Sequence, residues 1–152
     1  LVSEEERDYA VRELERLNRE DFVDSGDVYQ DIMNNSKLLT SRNRLEGIVR
    51  RFDKQQLKKE AEMELHVVKI GDIAFATNPY ELFLNYGNQI RARSKAKQTF
   101  LVQLCCGSKG YLPTEKAEKG GHYSAYVSSG CTGHEGGDLL VRKTLGEINK
   151  MF

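Results

Sequence analysis

Residues 63–90, MELHVVKIGDIAFATNPYELFLNYGNQI, contain the pattern that decides the fold. Short runs rich in β-branched residues lie on both sides of Gly71-Asp72, and they predict two strands, 63–70 and 73–77, joined by a two-residue hairpin turn. Asn78-Pro79 then predicts the start of a helix, because Asn is a favoured N-cap and Pro is favoured at the first helical position. The segment therefore predicts a hairpin followed by a helix.

The rest of the chain predicts helices and one further strand. Residues 1–60 are highly charged and predict helices, the first opened by a capping box at Ser3 and Glu6. A second helix is predicted after a break at 25–27, followed by a third helix or a continuation of the second. After the hairpin and its helix come a strand at 99–104, a short helix at 114–119 and a final helix with apolar residues at helical spacing: Val141, Leu145, Ile148 and Phe152. This order predicts a mixed α/β (α+β) fold whose irregular loops follow the strand ends.

Composition limits the classes of partner. Lys plus Arg and Asp plus Glu number 23 each, so no positive field favours nucleic acid or an anionic membrane as a partner. No apolar run approaches the roughly 18 residues that cross a bilayer, and the first residues lack the pattern of a signal peptide, which predicts a soluble segment. Because the chain begins with Leu1 and not with Met, we expect it to be a piece of a longer product.

Two glycine-rich loops, 105–114 and 120–137, hold nearly all the residues that could carry chemistry. Glycine density alone marks only a loop, which is the simpler interpretation. A zinc site built from this chain alone would have to use His66, His122 and His134 with the cysteines, and their spacings match none of the closed Cys/His patterns. His66 lies in a predicted strand and is expected to face solvent or to be partly packed.

The three cysteines do not decide the redox compartment, because an odd number leaves one thiol unpaired and adjacent cysteines such as Cys105 and Cys106 rarely bridge each other. Both follow a predicted strand end, where a nucleophile can lie, but no histidine is tied to them by the sequence. The stronger interpretation is that they are buried and act as small hydrophobic residues.

Glu81 has two interpretations. It stands three residues after Asn78, which is the N3 position of a capping box, where its carboxylate would bond back to the N-cap amide. Spacing alone favours this structural role over a functional one.

The stretch 68–81, VKIGDIAFATNPYE, and the later GYLPTE at 110–115 resemble the neutral/alkaline, non-lysosomal ceramidase family. The likeness is greatest to bacterial ceramidase-like proteins that end without an additional immunoglobulin-like domain. It covers roughly residues 60–152, and the helical first third fits less specifically.

The resemblance implies roles for three residues. Glu81 matches the glutamate of the family's Pro-Gly-Glu turn, which binds the catalytic zinc, and Tyr111 matches a tyrosine that binds the same zinc. Tyr123 matches a tyrosine that points at the substrate carbonyl and would donate to the developing oxyanion. The chain departs from the family pattern in two places, with Tyr80 in place of the glycine and Pro113 in place of the first threonine.

The implied activity is zinc-dependent hydrolysis of an N-acyl amide bond, with ceramide itself left open as the substrate. The family's two histidine ligands lie upstream, so this chain would supply two metal ligands, would bind zinc weakly or not at all, and would be inactive alone. Residues 61–152 would be the C-terminal part of a larger α/β hydrolase domain, preceded by the helical segment 1–60. The implied partners are the missing N-terminal part of the same protein and a small-molecule or lipid N-acyl substrate. The resemblance is also compatible with a homo-oligomer and with a secreted or periplasmic location.

A non-catalytic binding or interaction module is the alternative. Such a module would keep the fold without a working metal site, which would explain Tyr80 and Pro113 equally well. Upstream histidine motifs in the complete gene would support the enzyme, and their absence would support the module.

Overall fold

The computed structural model describes all residues, 1–152. In chain order the elements are α1 (Glu4–Leu17), α2 (Val28–Leu57), β1 (Val67–Ile70), β2 (Ile73–Thr77), β3 (Glu81–Leu82), α3 (Leu84–Arg93), β4 (Gln98–Val102), β5 (Tyr111–Leu112), α4 (Glu115–Gly120), two 3-10 helices (Tyr123–Ala125 and Val127–Ser129) and α5 (His134–Met151). This mixture confirms the predicted α+β class. The chain divides into two compact units, Leu1–Glu60 and Ala61–Phe152. None of its helices is both long and apolar enough to cross a membrane.

The first unit is a pair of helices. The predicted capping box opens α1: the Glu6 amide donates to Ser3 Oγ at 3.1 Å, and the Ser3 amide donates to the Glu6 carboxylate at 2.8 Å. Beyond Asp27, which caps its start, α2 is one continuous helix and not two. Gln55 near the end of α2 is buried, and its side-chain amide both accepts from the Val2 amide and donates to the Val2 carbonyl. These two bonds fasten the start of the chain to α2.

The second unit contains two small sheets. The larger has the order β1-β2-β4, in which β1 and β2 form the predicted antiparallel hairpin and β4 lies parallel to β2. Gly71 in the hairpin turn has φ 58°, a left-handed conformation that suits glycine. The first strand is shorter than predicted, because pairing begins at Val67 and not at Met63. The smaller sheet pairs β3 with β5 in parallel.

The core of the second unit lies where α3 and α5 pack on each other and against the larger sheet. The residues buried there include Ala74, Ala76, Ile90, Leu140, Val141 and Ile148. Tyr86 is only 2% exposed, and its hydroxyl donates to the Pro113 carbonyl at 2.8 Å. Burial raises the pKa of the Tyr86 phenol, so the hydroxyl stays protonated and remains a donor.

The opposite face of the larger sheet is apolar and open to solvent. Val68 pairs with Phe75, and Phe75 pairs with Phe100, so the three side chains share one face. The Phe75 and Phe100 rings stack with centroids 5.1 Å apart. Val68 is 50% exposed and Ile70 is 62% exposed. An exposed apolar sheet face of this kind is typical of a surface that another element or chain covers.

The predicted helix start at Asn78-Pro79 is wrong. The Asn78 amide donates instead to the Val102 carbonyl at 2.9 Å, and the chain then bends at Pro79 and Tyr80, where the Asn78 side chain accepts from the Tyr80 amide at 3.0 Å. Glu81 therefore lies in β3, and α3 begins only at Leu84. The capping-box interpretation of Glu81 is therefore also wrong, since no helix begins at Asn78. Hydrogen bonds to a distant strand outweigh the local preference of Asn-Pro for a helix start.

Candidate functional site

Glu81 and Tyr111 are neighbours across the smaller sheet. They are direct partners in the parallel register of β3 and β5, and the Glu81 amide donates to the Gly110 carbonyl at 2.9 Å. The Lys109 amide also donates to the Pro79 carbonyl at 2.8 Å, which extends the pairing toward the preceding turn. Backbone pairing thus fixes two predicted site residues side by side, although thirty positions separate them in the chain.

Two glycines let a third segment approach this sheet. Gly110 has φ 71° and forms an isolated antiparallel bridge with Gly130. A side chain at Gly110 would collide with the Ser129 carbonyl, and one at Gly130 would collide with the Tyr111 carbonyl. The segment that carries Tyr123 is therefore held close to β5 by residues without side chains.

Tyr123 completes a group of three predicted residues. Its hydroxyl oxygen lies 3.3 Å from the Tyr111 hydroxyl oxygen, and the two rings meet edge to face with centroids 5.6 Å apart. The Ser129 hydroxyl donates to the Tyr123 carbonyl and so fixes the 3-10 turn that carries the ring. Tyr123 is 56% exposed, so its ring remains accessible from solvent. The structure brings Glu81, Tyr111 and Tyr123 together.

The electrostatics of the group centre on Tyr111. Hydrogen bonding to Tyr123 raises the pKa of the Tyr111 phenol, and hydrogen bonding and the negative charge at Glu81 raise it further. The Tyr111 phenol is therefore protonated at neutral pH and has two polar neighbours.

His122 is the fourth member of the group. Its ring lies 4.6 Å from the Tyr123 ring, and its Nδ1 is 3.2 Å from Ser124 Oγ. In the sequence, His122 is a candidate only for a site made of the three histidines with the cysteines, and the signal that could have placed it here is its adjacency to Tyr123. We call Glu81, Tyr111, Tyr123 and His122 the tyrosine site.

The other two histidines have different partners. His134 Nδ1 pairs with the Glu118 carboxylate at 2.6 Å, and the His134 amide donates to the same carboxylate at 2.8 Å. Hydrogen bonding to Glu118 raises the pKa of His134. His66 is exposed and pairs with Glu64.

The two departures from the family pattern are structural. Tyr80 is 3% exposed and belongs to the hydrophobic core, where its hydroxyl accepts from Cys131 Sγ at 3.6 Å. Pro113 is buried, and its carbonyl accepts from Tyr86. Both substituted residues are thus buried, and Tyr80 is part of the core.

The donor set of the tyrosine site is suited to a divalent metal but is incomplete. Glu81 and Tyr111 offer two oxygen donors from paired strands, and His122 offers an imidazole beside Tyr123. A catalytic zinc normally has three protein ligands and one open position, and histidine nitrogen is its commonest donor in such sites. The residues present therefore fit part of a zinc site.

Comparison of the chain with protein-family models, with curated proteins and with solved structures gave no match.

Proposed function

We propose that the chain is the C-terminal part of a zinc-dependent amide hydrolase that resembles the neutral/alkaline ceramidases and acts on an N-acyl amide bond. One observation carries the proposal: Glu81, Tyr111 and Tyr123, named by the resemblance, come from separate segments and lie next to one another. A chance match to the family motif would not be expected to bring these three side chains together.

Each residue has a role that its position suits. Glu81 and Tyr111 would hold the zinc, since their side chains are neighbours across paired strands. Zinc, when bound, supplies a Lewis acid that polarises the amide carbonyl. Tyr123 is the most exposed of the three and carries a hydroxyl donor, which suits donation to the oxygen that becomes negative during hydrolysis.

The exposed apolar face of the larger sheet supports the proposed partner, the N-terminal part of the same protein. An α/β sheet normally has both faces covered, and here Ala74 and Ala76 face the core while Phe100 and Ile70 face solvent. The missing part would cover this face and would bring the remaining nitrogen ligands.

The test restores the upstream sequence and compares parent, Glu81→Gln and Tyr111→Phe proteins. We expect both variants to lose bound zinc and N-acyl amide hydrolysis together while the far-ultraviolet circular dichroism is unchanged, since a neutral amide and a phenyl ring are poor ligands for zinc. Glu135→Gln is the matched control, because Glu135 is exposed in the first turn of α5. Unchanged zinc content in both variants would refute the assignment.

A non-catalytic module is the second candidate, and one observation favours it. Tyr111 already has polar partners in Tyr123 and Glu81, so the tyrosine site is satisfied without a cation. In that case Glu81→Gln and Tyr111→Phe would lower the melting temperature of the restored protein, and neither parent nor variants would contain zinc.

A further inference from the structure

Three metal-ligating side chains meet on the surface of the second unit, a fourth lies beside one of them, and none belongs to the tyrosine site. We call Glu64, His66, Cys105 and Cys106 the thiol cluster. One ligand atom from each of Glu64, His66 and Cys106 lies within 4.8 Å of the other two. Cys105 Sγ is 3.6 Å from Cys106 Sγ, and His66 Nε2 is 2.6 Å from Glu64 Oε1. The cluster thus combines a nitrogen, an oxygen and two sulfur donors.

The expectation that both cysteines are buried small hydrophobic residues is wrong for Cys106, which is exposed, while Cys105 is partly exposed. Both are free thiols. The burial interpretation failed because the chain does not enter the core after β4 but turns at the surface. Leu104 and Cys106 both have positive φ, 52° and 58°, an uncommon backbone for residues other than glycine.

Backbone hydrogen bonds hold the two halves of the cluster in place. Glu64 and His66 lie two residues apart just before β1, and the contact between His66 Nε2 and Glu64 Oε1 shows that their side chains are on the same side of the segment. The Thr77 amide donates to the His66 carbonyl at 2.9 Å, and the Cys105 amide donates to the Asn78 carbonyl at 3.0 Å. Both halves are therefore anchored to consecutive residues at the end of β2.

The separation of the two sulfurs suits a tetrahedral ion. Zinc–sulfur bonds of about 2.3 Å at tetrahedral angles place two sulfurs about 3.8 Å apart, and the Cys105 and Cys106 sulfurs are 3.6 Å apart. Nitrogen and oxygen ligands at about 2.0 Å are about 3.3 Å apart. The His66–Glu64 pair must open from 2.6 Å, which is easy because these side chains are 50% and 59% exposed.

We propose that the thiol cluster binds a thiophilic divalent cation, with Zn²⁺ as the ion of matching chemistry and with His66, Cys105, Cys106 and Glu64 as ligands. Sulfur and imidazole donors select zinc over magnesium or calcium, which prefer oxygen. The cation would clamp the segment that leads into β1 to the loop after β4. This proposal does not depend on the proposed hydrolase function.

The experiment uses the purified, reduced chain and Co²⁺ as a spectroscopic probe of the zinc site. We expect one Co²⁺ per chain to give a sulfur-to-cobalt charge-transfer band that excess Zn²⁺ abolishes. The Cys105→Ser/Cys106→Ser protein should lose this band. His66→Asn should weaken Co²⁺ binding by at least about tenfold, because even changes to residues that only support the ligands of a metal site usually cost that much affinity. Absence of the band in the parent chain would overturn the proposal.

Two controls separate this site from others. Cys131→Ser and Glu81→Gln should keep the band, because Cys131 lies against Tyr80 in the core and Glu81 belongs to the tyrosine site. A band that survives the double cysteine change, or that is lost in Cys131→Ser or Glu81→Gln, would overturn the proposal.

A measurement on the unaltered chain guards against variants that fail to fold. Zn²⁺ should slow alkylation of Cys105 and Cys106 and should leave alkylation of Cys131 unchanged. The alkylation rates are measured by mass spectrometry, with one peptide that contains both Cys105 and Cys106. Equal alkylation rates at Cys105 and Cys106 with and without Zn²⁺ would also overturn the proposal.

Discussion

Two glycines of α5 should respond in opposite directions to the same substitution. A Cβ added at Gly137 would lie 2.7 Å from Cε1 of Tyr86 and nearer still to Cζ and the hydroxyl oxygen, whereas a Cβ at Gly146 would meet nothing within 4 Å. Both positions are helical, so both gain the backbone preference of Ala over Gly, about 0.8–1 kcal/mol. Gly146→Ala should therefore stabilise the second unit by about that amount.

Gly137→Ala should destabilise it. A retreat of about 0.7 Å would bring only Cε1 of Tyr86 from 2.7 Å to an ordinary contact of 3.4 Å, and the ring must move further because Cζ and the hydroxyl oxygen lie nearer. The ring is 2% exposed and its hydroxyl is bonded to the Pro113 carbonyl, so it has no free direction in which to move. Overpacking of this kind costs about 1–3 kcal/mol, and a weakened hydrogen bond adds about 1 kcal/mol. After the gain in helix preference, a net loss of about 1–3 kcal/mol remains.

The assay is native-state hydrogen exchange of α5 peptides, which reports the free energy of opening locally and does not require the two units to unfold together. The Tyr86→Leu background supplies a further check, because removal of the ring atoms should reduce the cost of Gly137→Ala. The reasoning is refuted if Gly137→Ala is as stable as the parent, or if its cost is the same with Leu as with Tyr at position 86.

Two further predictions concern buried and titrating contacts. Gln55→Ala should lower the stability of the first unit by about 1–3 kcal/mol, because it leaves the buried amide and carbonyl of Val2 without partners. The control is Gln56→Ala, a change at an exposed neighbouring residue that should alter the urea unfolding midpoint little. Equal effects of the two changes on the midpoint would contradict the prediction. Glu118 raises the pKa of His134 in the folded chain above its ordinary value of 6.5, so the stabilisation is complete below about pH 6.5 and is lost as pH rises through the folded pKa. The melting-temperature difference between parent and His134→Gln should accordingly shrink from roughly pH 6 to pH 9, and a difference that grew with pH would count against the pair.

Features that depend on residues close in sequence could be predicted from the sequence. The capping box of Ser3 and Glu6, the turn at Gly71-Asp72 and the buried stripe of α5 need only neighbouring residues or a regular period, and all three are confirmed. The continuity of α2 was left open, because a helical period does not by itself reveal whether a break occurs.

The tyrosine site depended on distant contacts. Family likeness singled out Glu81, Tyr111 and Tyr123, but nothing in their spacing predicts that β3 pairs with β5 or that Gly130 lies against Gly110. The local signal at Asn78 pointed to a helix instead. Strand pairing overrode it, because an extended backbone finds its hydrogen-bond partners in a segment far away in the chain.

The sequence by itself determined the α+β class, the hairpin, the start of α1 and the buried face of the last helix, since each is encoded by side-chain preferences within a few residues. Only the tertiary structure decided that Glu81 lies in a strand, that His122 stands beside Tyr123, and that Cys106 lies close to Glu64 and His66 at the surface. The physical reason is that parallel pairing and loop anchoring are made by backbone N–H and C=O groups. Almost every residue carries both groups, so the side-chain sequence does not show which segments pair.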